Sequence, residues 1–199
     1  MNTLIVYGLL NDILQRVRLM DNPMQIYVDH NLPGCSGCRI CEKVCALRHD
    51  KQYNPALARV KVYQFYPGPI DVPIVCQYCD DRPCVNACPT EALTYDGDTY
   101  LMRVNPDLCT QCGRCNQACI DAERGGCITF NPKTGVAQIC DLCEGDPQCA
   151  RYCPSNVLHF LLLSRFSKRL AKPPDLIAER IADQFYPVQK DVQSGGWKK

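Results

Sequence analysis

The sequence predicts an α+β fold in which short strands and short helices surround four metal-binding groups of cysteines. Sixteen of the seventeen cysteines in the 199 residues fall into these groups. Short runs of β-forming residues alternate with turn signals through the same region. Because few segments are long, we expect the metal sites and their ligand loops to replace much of the usual apolar core.

Each group places four cysteines within a short loop. In the first and third groups, pairs of residues separate three cysteines, and a fourth follows after three more. The second and fourth groups have longer internal loops, which contain Pro83 and Pro147. The groups are Cys35, Cys38, Cys41 and Cys45; Cys76, Cys79, Cys84 and Cys88; Cys109, Cys112, Cys115 and Cys119; and Cys140, Cys143, Cys149 and Cys153. This is the ligand pattern of bacterial ferredoxins, so the sequence predicts four cubane [4Fe–4S] clusters.

Zinc is the alternative metal for clustered cysteines. Structural zinc sites use four ligands, usually as two separated pairs. Three cysteines that converge in one tight loop suit three irons of a cube better than one tetrahedral ion. Cys88 and Cys153 are also followed by proline, as in two-cluster ferredoxins. The fourth group departs most from the basic spacing, and zinc stays open there.

The ligand sets follow from a crossover rule. In two-cluster ferredoxins, the fourth cysteine of each run binds the other cluster. Groups two and three, residues 76–119, form one such inner module, and groups one and four form an outer module around it. The predicted sets are site A, with Cys35, Cys38, Cys41 and Cys153; site B, with Cys140, Cys143, Cys149 and Cys45; site C, with Cys76, Cys79, Cys84 and Cys119; and site D, with Cys109, Cys112, Cys115 and Cys88. Each site has a full set of cysteines, so no catalytic residue is predicted.

The cysteine groups define a central domain, residues 25–160, between two extensions. The N-terminal extension, residues 1–24, has apolar residues at helical spacing, which indicates a helix that packs on its own domain or docks a partner. In the C-terminal extension, residues 161–199, a helix is predicted to start at Pro173, Pro174 and Asp175. Its apolar stripe consists of Leu176, Ile177, Ile181 and Phe185.

Strands in the central domain are predicted at β-forming runs and beside turn residues. They are Gln25–Val28 and Arg59–Phe65, the pair Ala92–Tyr95 and Tyr100–Val104, and the pair Ile128–Phe130 and Val136–Ile139. Asp96-Gly97 and Asn131-Pro132 are the turn signals within the two pairs. Short helices are expected after the third cysteine of each group.

Cys127 and the three histidines lie outside the cysteine groups. A small buried side chain is the simpler interpretation of Cys127, and a reactive or ligating thiol is the alternative. His30, His49 and His159 form no recognisable catalytic or metal set. His49 follows the first group closely enough to hydrogen-bond near a cluster and tune it. No phosphate loop, dinucleotide fingerprint or nucleophile elbow is present.

Charge and cysteine usage exclude several classes of partner. The formal charge is +1, and four clusters with their thiolates add about −8, which gives a total of about −7. A negative protein with dispersed basic residues is not expected to bind nucleic acid. The tight cysteine runs indicate a reducing, cytoplasmic compartment. With no export signal and no apolar run long enough to span a bilayer, direct membrane insertion is not expected.

Two stretches, PIVCQYCDDRPCVNACPTEAL and CDLCEGDPQCARYCP, resemble the four-cluster ferredoxin subunits of molybdenum and tungsten oxidoreductases. The electron-transfer subunit of dimethyl sulfoxide reductase typifies this family. The resemblance covers roughly residues 25–160 and implies the nested pairing of clusters. It also implies a catalytic partner with a pterin-bound tungsten or molybdenum.

A third stretch, CSGCRICEKVCALRHDKQYNPALARVKV, resembles the ferredoxin-like partners of aldehyde oxidoreductase-type tungsten enzymes and of carbon monoxide dehydrogenase. The narrower resemblance is to the iron–sulfur subunit of tungsten-dependent benzoyl-CoA reductase. It implies a place in anaerobic metabolism, beside a catalytic subunit and further electron-transfer subunits.

These observations predict an electron-transfer subunit of an oxidoreductase complex. One alternative is a free-standing polyferredoxin, or an electron carrier for carbon monoxide dehydrogenase or hydrogenase. An alternative of another class is a zinc-stabilised interaction module.

Overall fold

The computed structural model describes residues 24–29, 34–65, 70–162 and 172–185. Within these ranges, eight short strands pair into four antiparallel two-stranded sheets, and short helices connect them. This mixture confirms the predicted α+β class. The predicted N-terminal helix and His30 lie outside the described residues.

The first sheet joins the two ends of the cysteine-containing region. Strand β1, Met24–Val28, pairs antiparallel with strand β8, Leu158–Leu162. Ile26 and Leu158 are buried in this sheet, and the ring of Tyr27 stacks on that of His159 with 6.1 Å between centroids. Strand β1 confirms the prediction within one residue. The pairing brings the chain before group one next to the chain after group four.

The second sheet contains a strand that the sequence did not indicate. Strand β2, Lys61–Phe65, pairs with strand β3, Ile70–Ile74, and all five residues of β3 are buried. Pro73 lacks a backbone N–H, so it argues against a strand in the middle of a sheet. In a two-stranded sheet both strands are edges, and the proline is tolerated there.

The remaining two sheets are the predicted hairpins, each slightly shorter than expected. Strand β4, Leu93–Asp96, pairs with strand β5, Leu101–Val104. Strand β6, Thr129–Phe130, pairs with strand β7, Ala137–Gln138. In the first turn Asp96 Oδ1 accepts the backbone N–H groups of residues 98 and 99. Asn131 Oδ1 does the same for residues 133 and 134 in the second turn. These side chains explain why the turn signals located both hairpins.

A short helix begins one residue before the third cysteine of each group. The helices are α1, Ile40–Asp50; α2, Pro83–Asn86; α3, Arg114–Asp121; and α4, Gln148–Arg151. The expected helices are therefore present, and each begins before the third cysteine rather than after it. In the first three groups, the residue before the helix has a positive φ: 55° at Arg39, 39° at Arg82 and 75° at Gly113. This sharp turn brings the third cysteine into the first helical turn.

Helix α5, Pro174–Phe185, confirms the predicted C-terminal helix and packs against β2 and β3. Ile177 and Ile181 of the predicted stripe pack against the core, whereas Leu176 is 45% exposed and Ala178 and Ala182 are buried instead. Small alanines allow the helix backbone to approach the sheet closely. Among the helices of the described ranges, none has the length and apolar character that a membrane crossing needs.

Candidate metal centres

Three cavities in the described part of the chain are lined by cysteines from different groups. One is lined by Cys88, Cys109, Cys112 and Cys115. Another is lined by Cys45, Cys140, Cys143 and Cys149. The third is lined by Cys76, Cys79, Cys84 and Cys119, and also by Cys127. Apart from Cys127, these are the members of the predicted sites D, B and C. Ligation of iron by these sets stays a prediction.

The cysteines predicted for site A also lie together. Besides burial, which is the main cause, the nearby Cys38 and Cys153 raise the pKa of Cys35. Cys35 and Cys38 likewise raise the pKa of Cys41. These thiols therefore lie within electrostatic range of one another. Cys153 comes from group four, whereas the other three come from group one. Helices α1 and α4, which carry cysteines of these two groups, pack against each other.

The C-x-x-C turn of every group has the same left-handed backbone. The residue before the second cysteine has a positive φ: 67° at Gly37, 52° at Tyr78, 59° at Gln111 and 55° at Leu142. In groups one, two and four, the N–H of this residue points back to the first cysteine's sulfur. Successive N–H groups in such turns form concave anion sites, and many iron–sulfur proteins use them. The shared turn suits an anionic cluster at all four groups.

The fourth group contains the most unusual backbone. Leu142, Cys143 and Glu144 all have positive φ, between 50° and 59°. The Asp141 carboxylate accepts the Cys143 N–H at 2.9 Å and holds this turn. A non-glycine residue with a positive φ costs about 1–3 kcal/mol, so this backbone conformation persists only where the surrounding structure enforces it.

His49 lies beside the fourth group, in agreement with its predicted position near a cluster. Its Nε2 is 3.6 Å from Cys143 Sγ and 3.4 Å from Asp141 Oδ1. Burial lowers the pKa of His49, although Asp141 acts in the opposite direction. The ligand atoms of His49, Asp141 and Cys143 lie within 4.8 Å of one another. Histidine, aspartate and cysteine are all ordinary zinc ligands, so zinc stays an alternative metal at site B.

Burial makes most of the cysteine thiols hard to ionise in the absence of metal. It raises the pKa of Cys41 and of Cys84 to about 12, and that of Cys143 to about 11. A metal ligand must be a thiolate, so metal binding releases these protons. The arrangement is therefore costly for free thiolates and favourable only when a cationic metal compensates the charge.

Cys119 is the exception among the buried thiols. Its pKa is lowered to about 6, first by the adjacent Cys127 side chain and then by backbone N–H groups and Arg124. Cys127 is buried, as the simpler interpretation predicted, but it also lines the cavity of site C. Its backbone N–H donates to Cys119 Sγ at 3.5 Å. No local sequence signal reveals this contact, because it depends on the loop after α3.

Tyr78 connects sites B and C. Its hydroxyl donates to the backbone carbonyl of Cys140 at 2.8 Å and accepts the N–H of Met102 at 3.4 Å. Tyr78 belongs to group two, whereas Cys140 belongs to group four. A buried hydrogen bond therefore fixes the inner site C against the outer site B.

The four sites differ in exposure. Cys38 at site A and Cys112 at site D are exposed. At site B all four cysteines are buried, and at site C only Cys79 is partly exposed. Sites A and D therefore reach the surface, and sites B and C lie in the interior.

Two curated relatives each match more than half of this chain. The aliphatic sulfonate oxidoreductase, polyferredoxin-like subunit of Pyrococcus furiosus is 44% identical over 119 residues, which are 60% of this chain and 66% of that protein. A tetrathionate reductase subunit of Archaeoglobus fulgidus is 31% identical over 71% of this chain and 69% of that protein. The chain belongs to the family of polyferredoxin-like electron-transfer subunits. This membership favours iron–sulfur clusters over zinc as the main resident metal.

The chain also matches a further electron-transfer subunit, and it spans only part of the length of several relatives. The thiosulfate reductase electron transfer subunit PhsB of Salmonella typhi is 29% identical over 66% of this chain and 72% of that protein. The chain spans 66% of the length of the Pyrococcus subunit. It spans 21% of the putative oxidoreductase UacF of Escherichia coli and 33% of the NADH-dependent phenylglyoxylate dehydrogenase subunit beta of Aromatoleum evansii. No protein-family model matches the chain.

Among solved structures, the active site complex BamBC of benzoyl coenzyme A reductase is 23% identical, with a TM-score of 0.38. The match covers 86% of this chain and 95% of that chain. A likeness of this size carries no argument about function or partner.

Proposed function

We propose that this polyferredoxin-like chain is an electron-transfer subunit of an oxidoreductase complex and holds [4Fe–4S] clusters at sites A, B, C and D. The observation that supports the proposal is that cysteines from two different groups line each of three cavities, and that the same left-handed turn occurs in all four groups. Such clusters supply one-electron transfer. The chain's own residues hold them at fixed places and set their surroundings.

The same packing supports the nested arrangement of two ferredoxin modules. Helices α1 and α4 pack together, and β1 pairs with β8, so elements near groups one and four meet. Helices α2 and α3 pack together and connect through the β4–β5 hairpin, so groups two and three form a second unit. We place the inner module at residues 76–119 and the outer module around it, within a domain of residues 25–160.

Electrostatic proximity supports the order A, B, C, D along the electron path. Cys149 of site B is close to Cys41 of site A. Cys140 of site B is close to Cys76 of site C. Cys84 of site C is close to Cys115 of site D. The two exposed sites then form the ends of the path, where electrons enter and leave.

For the partner, we propose a catalytic subunit with tungsten or molybdenum pterin, of the aldehyde oxidoreductase type that includes benzoyl-CoA reductase, in the cytoplasm. The support is the resemblance of the cysteine motifs, together with relatives that are named as subunits of oxidoreductases. The N-terminal extension and residues 161–199 are the proposed docking surfaces. The metal content of the natively purified complex tests this assignment.

Paired cysteine substitutions test the ligand sets. Because Cys84 and Cys119 are assigned to the same site, the double variant Cys84→Ser/Cys119→Ser is expected to lose one cluster, about four irons. Cys115 and Cys119 share a group but not a site, so Cys115→Ser/Cys119→Ser is expected to lose two clusters, about eight irons. Iron and acid-labile sulfide are measured on anaerobically purified protein.

Cys127→Ser is the matched control, because Cys127 adjoins Cys119 but belongs to no ligand set. It is expected to keep all four clusters. If the Cys84/Cys119 pair lost twice as much iron as the Cys115/Cys119 pair, the crossover assignment would be wrong.

A further inference from the structure

Two arginines line the cavity of site C. The Arg82 guanidinium lies over the Tyr95 ring, 3.7 Å from its centroid. Arg124 lies beside Cys79 and Cys119 and acts on both electrostatically. Its Nε is buried and has no hydrogen-bond partner within the described part of the chain. The Arg124 Nη2 atom lies 3.2 Å from Asp81 Oδ2, which holds the outer end of the guanidinium. An N–H donor without a partner, in a cavity lined by thiols, is available to a sulfur atom there.

The backbone fixes Arg124 at this place. Its N–H donates to the Cys119 carbonyl at 2.9 Å, and its carbonyl accepts the thiol of Cys127 at 3.1 Å. Arg124 also favours the thiolate form of both Cys79 and Cys119 electrostatically. The same positive charge favours any further negative charge that is added inside this cavity.

Site A has the opposite surroundings. The Asp71 carboxylate lies directly above Gly37 and acts on Cys35. Its Oδ1 is buried and without a hydrogen-bond partner among the residues that the structure describes. Glu42, only 2% exposed, acts on Cys41 in the same sense, but it is paired with Arg39 at 3.5 Å. The carboxylate of Asp71 therefore distinguishes site A, whereas arginines lie at site C.

We propose that Arg124 raises the reduction potential of site C, that Asp71 lowers the potential of site A, and that an electron therefore rests at site C in preference to site A. The inference rests on the proposed function. One electron from the donor increases the negative charge of the site that receives it by one unit. A nearby cation and an N–H donor favour that step, and a nearby carboxylate opposes it. Arg124 and Asp71 are positioning residues for charge and take no part in ligation.

Redox titration of the full, cluster-loaded chain tests the inference. The variants Arg124→Gln and Asp71→Asn are compared with Lys133→Gln, which removes a positive charge from an exposed turn. Dithionite supplies the electrons, and electron paramagnetic resonance follows each reduced cluster. At a fixed solution potential, Arg124→Gln is expected to reduce the ratio of reduced to oxidised cluster at least tenfold for one component. This corresponds to a fall of at least 59 mV in the reduction potential of a one-electron couple. Asp71→Asn is expected to raise that ratio for a different component.

The outcomes separate the inference from the proposed function. Four intact cluster signals with unchanged potentials in Arg124→Gln would overturn the inference alone, as would equal shifts in Arg124→Gln and Lys133→Gln. Absence of cluster signals from the wild-type chain would overturn the proposed function and the inference with it. If Arg124→Gln loses a cluster, Asp71→Asn decides. A rise in the reduction potential of one component in Asp71→Asn supports the inference, and unchanged potentials overturn it.

Discussion

Replacing Gly37 with alanine is expected to abolish cluster binding at site A. Gly37 has φ of +67°, and a Cβ atom there would lie 2.5 Å from Asp71 Oδ2 and 2.7 Å from Asp71 Cγ. The left-handed backbone alone costs about 1–2 kcal/mol for a residue with a Cβ. The clash with the buried Asp71 carboxylate also displaces the turn that contains Cys35 and Cys38. The variant is expected to lose about four of about sixteen irons.

Two glycines of the same chain serve as matched controls. Gly113 also has a positive φ, +75°, but a Cβ there would meet no atom within 4 Å. Gly113→Ala should therefore show the backbone cost without the clash and retain iron at site D. Gly97, which also has open space around it, should tolerate alanine fully. Iron content and chemical unfolding are measured for all three variants. Full iron in Gly37→Ala, with stability equal to that of Gly97→Ala, would contradict the account of this turn.

Removing the clusters is expected to unfold most of the chain. Buried cysteines from all four groups contribute to the core, alongside aliphatic side chains such as Leu142 and Val72. Two-stranded sheets and four-residue helices are not stable alone in water. Without metal, the sites lose the bonds that connect distant groups, and metal-binding free energy is folding free energy in such proteins.

Chelation of iron under reducing conditions, followed by circular dichroism and limited proteolysis, measures this effect. The metal-free chain is expected to lose its cooperative thermal transition and to be cleaved rapidly. Reconstitution with iron and sulfide should restore both properties, which is the control for damage during chelation. A metal-free chain with an unchanged cooperative transition would show that the apolar core suffices by itself.

The sequence predicts local features of this protein well. The cysteine spacing indicates where the chain wraps a metal, and Asp96 and Asn131 locate two hairpins because their side chains cap the adjacent turns. Strand β3 was missed because Pro73 argues against a strand unless its partner is known. The buried face of α5 was predicted only in part: Ile177 and Ile181 pack on the core, but Ala178 and Ala182 carry little hydrophobic signal and become buried by packing on a sheet.

The charged surroundings of the sites depend on contacts between residues far apart in the chain. Asp71 reaches the turn at Gly37 only through the β2–β3 hairpin. Arg124 reaches site C because the loop after α3 folds back toward Cys119. No spacing rule connects such pairs, so the four cysteine groups can be identified from the sequence, whereas the charged residues that surround them cannot.

Metal analysis of the complex, purified anaerobically in its native form, tests the central claim most directly. The account predicts about sixteen irons with a matching amount of acid-labile sulfide per chain, together with tungsten or molybdenum from the catalytic partner. Nickel in place of these metals would point to a carbon monoxide dehydrogenase or hydrogenase partner, and iron alone would favour a free polyferredoxin. Zinc at the cysteine sites, with no iron or sulfide, would contradict the electron-transfer account.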